Sequence, residues 1–116
     1  MFSLSPLNGG QYFTLCEGNF SQANASLWSL DESLTTMDGP LLWNTSNHPL
    51  GDVGQSLTLH EDKLYIVMNG SHEIRVVNLE LGAEIGDDID LHDSSPRYMA
   101  IHNETGRGYV SSWNLG

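Results

Sequence analysis

Between Lys63 and Leu79 the chain alternates between two apolar runs and one polar break. Leu64 to Met68 reads LYIVM, Asn69-Gly70-Ser71 interrupts it, and Ile74 to Leu79 resumes with β-branched residues. Runs of this length and composition, separated by residues that tolerate φ > 0, predict two strands joined by a tight turn. The run LYIVM does not alternate with polar residues, which predicts a strand covered on both faces, as when sheets stack on one another. Elsewhere the apolar runs are short and twelve glycines punctuate them. No long stripe at helical spacing emerges, so the expected class is all-β.

The hairpin is one copy of a repeat. Tyr65-Ile66-Val67-Met68-Asn69 returns as Tyr109-Val110-Ser111-Ser112-Trp113-Asn114, and Leu57 to Glu61 lies over Met99 to Asn103, with two extra residues in the turn that follows. A weaker copy stands at Tyr12-Phe13-Thr14-Leu15-Cys16. A period in the forties built from short strands is the pattern of a β-propeller, whose blades are four-stranded antiparallel meanders. The middle copy supplies four strands, over 56–60, 63–68, 73–79 and 84–91, with turn residues between them. The expected organisation is a lead-in over 1–10, an incomplete first blade with a long connection over 11–54, a complete blade over 55–93, and the first half of a further blade over 94–116. That makes a partial β-propeller of about two to two and a half blades. A closed ring needs about four. The chain is therefore expected to be a fragment, completed by the remaining blades of a parent chain or by self-association.

Charge narrows the range of partners. Four Lys and Arg stand against fifteen Asp and Glu, a formal net charge of −11. A surface that binds phosphate backbones needs clustered cations, so no nucleic-acid partner is expected, anionic membranes are poor partners, and no direct membrane insertion is expected of this segment. No apolar run reaches the ~18 residues of a membrane span, and MFSLSPLNGG has neither the basic nor the apolar region of an export signal. Cys16 is the sole cysteine. Its place in an apolar strand predicts a buried thiol, with no motif that would make it a nucleophile.

Several segments resemble the YVTN-type β-propeller proteins of bacterial cell surfaces and the periplasm, and specifically an N-terminal fragment of one. They are Cys16-Glu17-Gly18-Asn19-Phe20, Ala25 to Asp31 (ASLWSLD), Pro49 to Ser56 (PLGDVGQS), the strand Tyr65 to Asn69, Tyr109-Val110, and Ser95-Pro96-Arg97-Tyr98-Met99-Ala100. Cys16 stands where the family tends to have Asn. The resemblance implies a periplasmic or cell-surface location. It also implies that ligands meet the loops on the face where the inner strands begin, at the mouth of the channel. On the matching positions of this chain those loops carry Asp52, Gln55, Asn69, His72, Arg97, Trp113 and Asn114.

Other residues invite chemistry, and each has a plainer reading. Five Asn-x-Ser/Thr triplets, at Asn19, Asn24, Asn44, Asn69 and Asn103, match glycosylation acceptors, but tight turns select the same residues. His48, His60, His72, His92 and His102 show no H-x-H or HExxH spacing, and His60 and His102 are repeat equivalents, which points to structure. Gly86-Asp87-Asp88-Ile89-Asp90 and His92-Asp93 lack the spacing of a dedicated calcium loop and read as a solvated outer strand. No metal, cofactor or catalytic residue is expected. Trp28, in SLWSL, reads as packed between blades, whereas Trp43 and Trp113 suit a sugar-stacking surface.

The function expected from these residues and the resemblance is a non-enzymatic binding or scaffold module of an exported propeller protein, whose partner is a cell-surface protein, a glycan or a small molecule. The competing class is a fragment of a propeller enzyme with metal-dependent lactonase- or lyase-like chemistry around the channel. Fold alone does not separate the two, because function resides in the site.

Overall fold

The computed structural model describes residues 12–42 and 50–114. The sugar-surface candidate Trp43, together with Asn44, His48 and the lead-in 1–10, lies outside them. The described chain is all-β and forms antiparallel sheets. Its strands are β1 (Tyr12–Cys16), β2 (Ser26–Leu30), β3 (Met37–Leu41), β4 (Gly54–His60), β5 (Lys63–Met68), β6 (Glu73–Asn78), β7 (Ala83–Glu84), β8 (Ile89–Asp90), β9 (Pro96–Ile101) and β10 (Gly108–Ser112). They make three sheets, ordered β1-β2-β3, β4-β5-β6-β7 with β8 also on β6, and β9-β10. The outer strand expected over 84–91 is broken into β7 and β8, both short and both paired with β6.

The sheets lie face on face. On β5, Leu64, Ile66 and Met68 join Val77 of β6 in one buried cluster with Leu27 and Leu41 of the first sheet and Ala25 just before β2. The alternate residues of β5 point the other way, and there Val67 is also fully buried. LYIVM is continuous because both faces of β5 are covered, as its lack of alternation predicted. On the side facing the third sheet, the Ser56 hydroxyl donates to the Arg97 carbonyl at 2.6 Å and the Thr58 hydroxyl to the Met99 carbonyl at 2.9 Å. These bonds join β4 to β9 without pairing the strands.

The repeat is written in the backbone as well as in the residues. Tyr65 pairs with Thr58 and Tyr109 with Ala100, which are equivalent positions. Each hairpin has a bulge at the same place, between Gly54 and Ser56 in one and between Val110 and Ser112, opposite Pro96, in the other. Just before each bulged hairpin a non-glycine residue takes a left-handed conformation, Val53 at φ 53° and Ser95 at φ 52°. Each accepts from the far end of its hairpin, Asn69 N to Val53 O at 2.8 Å and Trp113 N to Ser95 O at 3.1 Å. The first copy follows a shifted register. Cys16 pairs with Ser26 beside the loop as Met68 pairs with Glu73, so Phe13 and not Tyr12 corresponds to Tyr65.

Three expectations are corrected. Cys16 is exposed: it sits on the face of β1 that no described sheet covers, with Tyr12 and Thr14. Trp28, paired with Thr14, lies half-buried on that same open face and not between sheets, with its Nε1 donating to Ser26 Oγ at 2.9 Å. In the turn 69–72 the left-handed residue is His72, at φ 56°. Gly70 is needed there for space, because a Cβ would stand 2.5 Å from Asp52 Oδ2 and 3.0 Å from its carbonyl oxygen.

Candidate functional site

The seven candidate residues sit where β4 and β9 begin and where β5 and β10 end. Asp52 occupies the approach to β4. Its carboxylate accepts from the backbone N–H of Ser21 at 3.1 Å and of Ala23 at 3.4 Å, its carbonyl accepts from Gly70 and Ser71, and its own N–H donates to Ser71 Oγ at 2.8 Å. An aspartate surrounded by backbone donors and a hydroxyl is a bracket that ties three loops together, each carboxylate oxygen already accepting one backbone N–H.

Asn69 and His72 extend the bracket toward the third sheet. Asn69 is buried and donates from Nδ2 to the Pro96 carbonyl at 3.0 Å. His72 accepts from the backbone N–H of Ser95 at 3.1 Å through Nδ1. Asn114 donates from Nδ2 to the Asp93 carbonyl at 3.1 Å. In each case a polar side chain replaces a backbone bond that an irregular loop cannot make for itself.

Gln55 and Arg97 occupy equivalent places, each the extra residue of its bulge. A bulge re-aims the side chain it carries and is common beside binding sites. The Arg97 guanidinium lies over the Trp113 ring, 4.6 Å from its centroid, and 5.5 Å from that of Tyr98. Both rings are more than half exposed. Of the other three cations, Arg75 is held by Glu84 and Asp88, Lys63 lies 3.6 Å from Asp62, and Arg107 stands exposed in the β9–β10 turn, with no carboxylate partner among the described residues. Arg97 has no carboxylate partner among the described residues, and its Nε is buried without a hydrogen-bond acceptor there.

Arg97 and Trp113 are thus in direct contact. Asp52, Asn69 and His72 are joined to one another and to the start of β9 by loop hydrogen bonds, and Gln55 stands apart on β4. Sequence reasoning passed over Tyr98, the second ring beside Arg97. Its signal was its place next to Arg97 on an alternating strand, where a side chain beside a bulge projects outward.

The acidic outer strand has a structural explanation. Arg75 on β6 makes a two-pronged pair with Glu84, at 2.5 and 2.7 Å, lies 3.8 Å from Asp88, and donates to the Leu50 carbonyl. Burial pushes the Glu73 carboxyl above its usual range and the charge of Asp88 adds to this; burial also raises Asp88, with Arg75 opposing. Among the described residues no group of three or more His, Cys, Asp or Glu converges in a geometry that would hold a metal ion, and no helix is long and apolar enough to cross a membrane.

Arginine stacked on indole leaves its N–H edge free for carboxylate or hydroxyl acceptors, while the exposed ring faces suit apolar or sugar surfaces. Comparison with models of known protein families and with curated proteins found no match.

Proposed function

We propose that this chain is a non-enzymatic ligand-binding or scaffold module of an exported bacterial protein of YVTN-type propeller architecture, and that its ligand meets the shelf formed by Arg97, Trp113 and Tyr98. The observation that carries the reading is the Arg97–Trp113 stack, a half-buried guanidinium lying on an exposed indole, without a carboxylate partner among the described residues of a chain of net charge −11, and held at the end of a hairpin by a bulge. Arg75, by contrast, is paired with Glu84, and the exposed Arg107 lies over no ring, so the stack is what singles out Arg97 among the described residues. The propeller architecture draws support from the repeat period, the equivalent bulges and left-handed residues, and the hydrogen bonds from β4 to β9. The ligand class that fits a guanidinium edge beside two aromatic faces is a carboxylate-bearing glycan or small molecule.

The test is a screen of neutral and uronic-acid oligosaccharides against the purified chain, read by tryptophan fluorescence and repeated on Arg97→Gln and Trp113→Ala. Binding of the acidic sugars that weakens about tenfold or more in each variant, equivalent to about 1.4 kcal/mol, is the expected result. Binding that both variants leave unchanged would move the site elsewhere and sink the proposal.

A further inference from the structure

Inside the chain each sheet presents a forward face to the next sheet. The forward face of the second carries Ser56, Thr58, Tyr65 and Val67, and β9 lies across it, with the Ser56 and Thr58 hydroxyls bonded to β9 carbonyls. The backward face of that sheet carries Leu64, Ile66 and Met68, all buried against the first sheet. One interface of this kind thus covers each face of the second sheet.

The outer sheets carry the same two faces with nothing described upon them. The repeat equivalents of Ser56, Thr58, Tyr65 and Val67 are Tyr98, Ala100, Tyr109 and Ser111, and they line an open groove of about 400 Å³ on β9 and β10 together with Met99 and Val110. Tyr98 is 56% and Tyr109 61% exposed. At the other end, the equivalents of Leu64, Ile66 and Met68 are Tyr12, Thr14 and Cys16, beside Trp28 and Leu30. Tyr12 is 54% exposed where Leu64 is 2%. Exposed aromatic faces of this extent on a small domain mark association surfaces.

We infer that these two faces bind one another between copies of this chain, head to tail, the forward face of the third sheet in one copy receiving the backward face of the first sheet in the next. The occupant is a second copy because the surface that covers a forward face within this chain is the backward face of one of its own sheets, and the copy's first sheet presents that face with no described residue upon it. A contact between two different patches is heterologous, so it propagates to a closed ring or an open chain of subunits. The inference does not rest on the proposed ligand, but Tyr98 belongs to both surfaces, so head-to-tail association would cover one ring of that shelf.

The experiment is light scattering after size-exclusion chromatography over a range of concentrations, on the 116-residue chain and on two variants at exposed positions, Ala100→Arg on the forward face and Thr14→Arg on the backward face. The wild type should exceed its 12.8 kDa monomer mass, and each variant alone should fall to the monomer with an unchanged circular dichroism spectrum. Mixed, the variants should form a one-to-one dimer, because each retains the face the other lacks. The exposed thiol of Cys16 gives a second readout, with alkylation slowed several-fold in the wild-type oligomer and fast in Ala100→Arg. A wild type that stays monomeric at all concentrations, with Cys16 equally reactive throughout, overturns the inference and leaves other polypeptide as the cover. So does oligomerisation that only one variant abolishes, because that pattern means like faces pairing.

Discussion

Asp52 and Ser71 hold each other from both sides: the Asp52 N–H donates to the Ser71 hydroxyl at 2.8 Å, and the Ser71 N–H donates to the Asp52 carbonyl at 3.2 Å. With the Asp52 carboxylate reaching Ser21 and Ala23, this pair ties the 69–72 turn to the loop that precedes β2. Asp52→Ala removes both carboxylate acceptors and is expected to cost about 1 kcal/mol, since the freed N–H groups are exposed to water. Gly70→Ala places a methyl against that carboxylate and is expected to cost about 2 kcal/mol. Urea unfolding with an unchanged m-value would establish both.

The hydroxyl bonds from β4 to β9 predict a separable contribution from sheet-to-sheet contact. Ser56→Ala and Thr58→Val each remove one donor while keeping most of the side-chain volume. Each is expected to cost about 1 kcal/mol. Hydrogen exchange should show β9 and β10 losing protection before β5 and β6, because the third sheet is the one these bonds attach.

Arg75 joins β6 to Glu84, Asp88 and the Leu50 carbonyl, so its loss strands several acidic groups at once. Arg75→Met is expected to destabilise the fold by about 2 kcal/mol at neutral pH. The loss should shrink as pH falls into the acid range, where Glu73 and Asp88, whose carboxyl pKa values are raised, take up protons and repel each other less. Chemical denaturation at neutral and acidic pH measures the difference.

Glu73 and Asp88 carry raised carboxyl pKa values, chiefly from burial. A raised folded-state value means the native protein binds these protons more tightly than the unfolded chain. Their contribution therefore favours folding below the unfolded-state values and is lost as pH rises through the folded-state ones. Glu73→Gln should raise stability at neutral pH by about 0.5 kcal/mol, a figure reduced for solvent screening, and should flatten the pH profile.

Asp31 behaves in the opposite sense. Its carboxylate accepts from Thr36 N at 3.1 Å, Thr35 N at 2.8 Å and the Ser33 and Thr35 hydroxyls, and these bonds lower its pKa to about 2. The turn's contribution is thus present above the unfolded carboxyl value and is lost as pH falls through about 2. Carboxyl NMR should show a titration midpoint near that value, and Asp31→Asn should loosen the turn at neutral pH without a matching change at low pH.

The sequence by itself determined the β class, the hairpin of β5 and β6, and the spacing of the repeat, because apolar runs and turn chemistry act over a few residues. It also determined that β5 would be covered on both faces, since LYIVM lacks the polar alternation of a strand with one solvated face. Only the tertiary structure decided which face of an alternating strand is left open. That depends on whether a neighbouring sheet arrives, so Cys16 and Trp28 look internal in sequence and stand on an outer face. The same holds for the candidate site. Asp52 and His72 have the residue types of ligand groups, yet their partners come from distant loops, which engage both Asp52 carboxylate oxygens and the Nδ1 of His72 in holding the loops together. The pairing of Arg97 with Trp113 arises from a bulge in β9 and the end of β10 meeting in space, a relation between two strands that neither segment encodes alone.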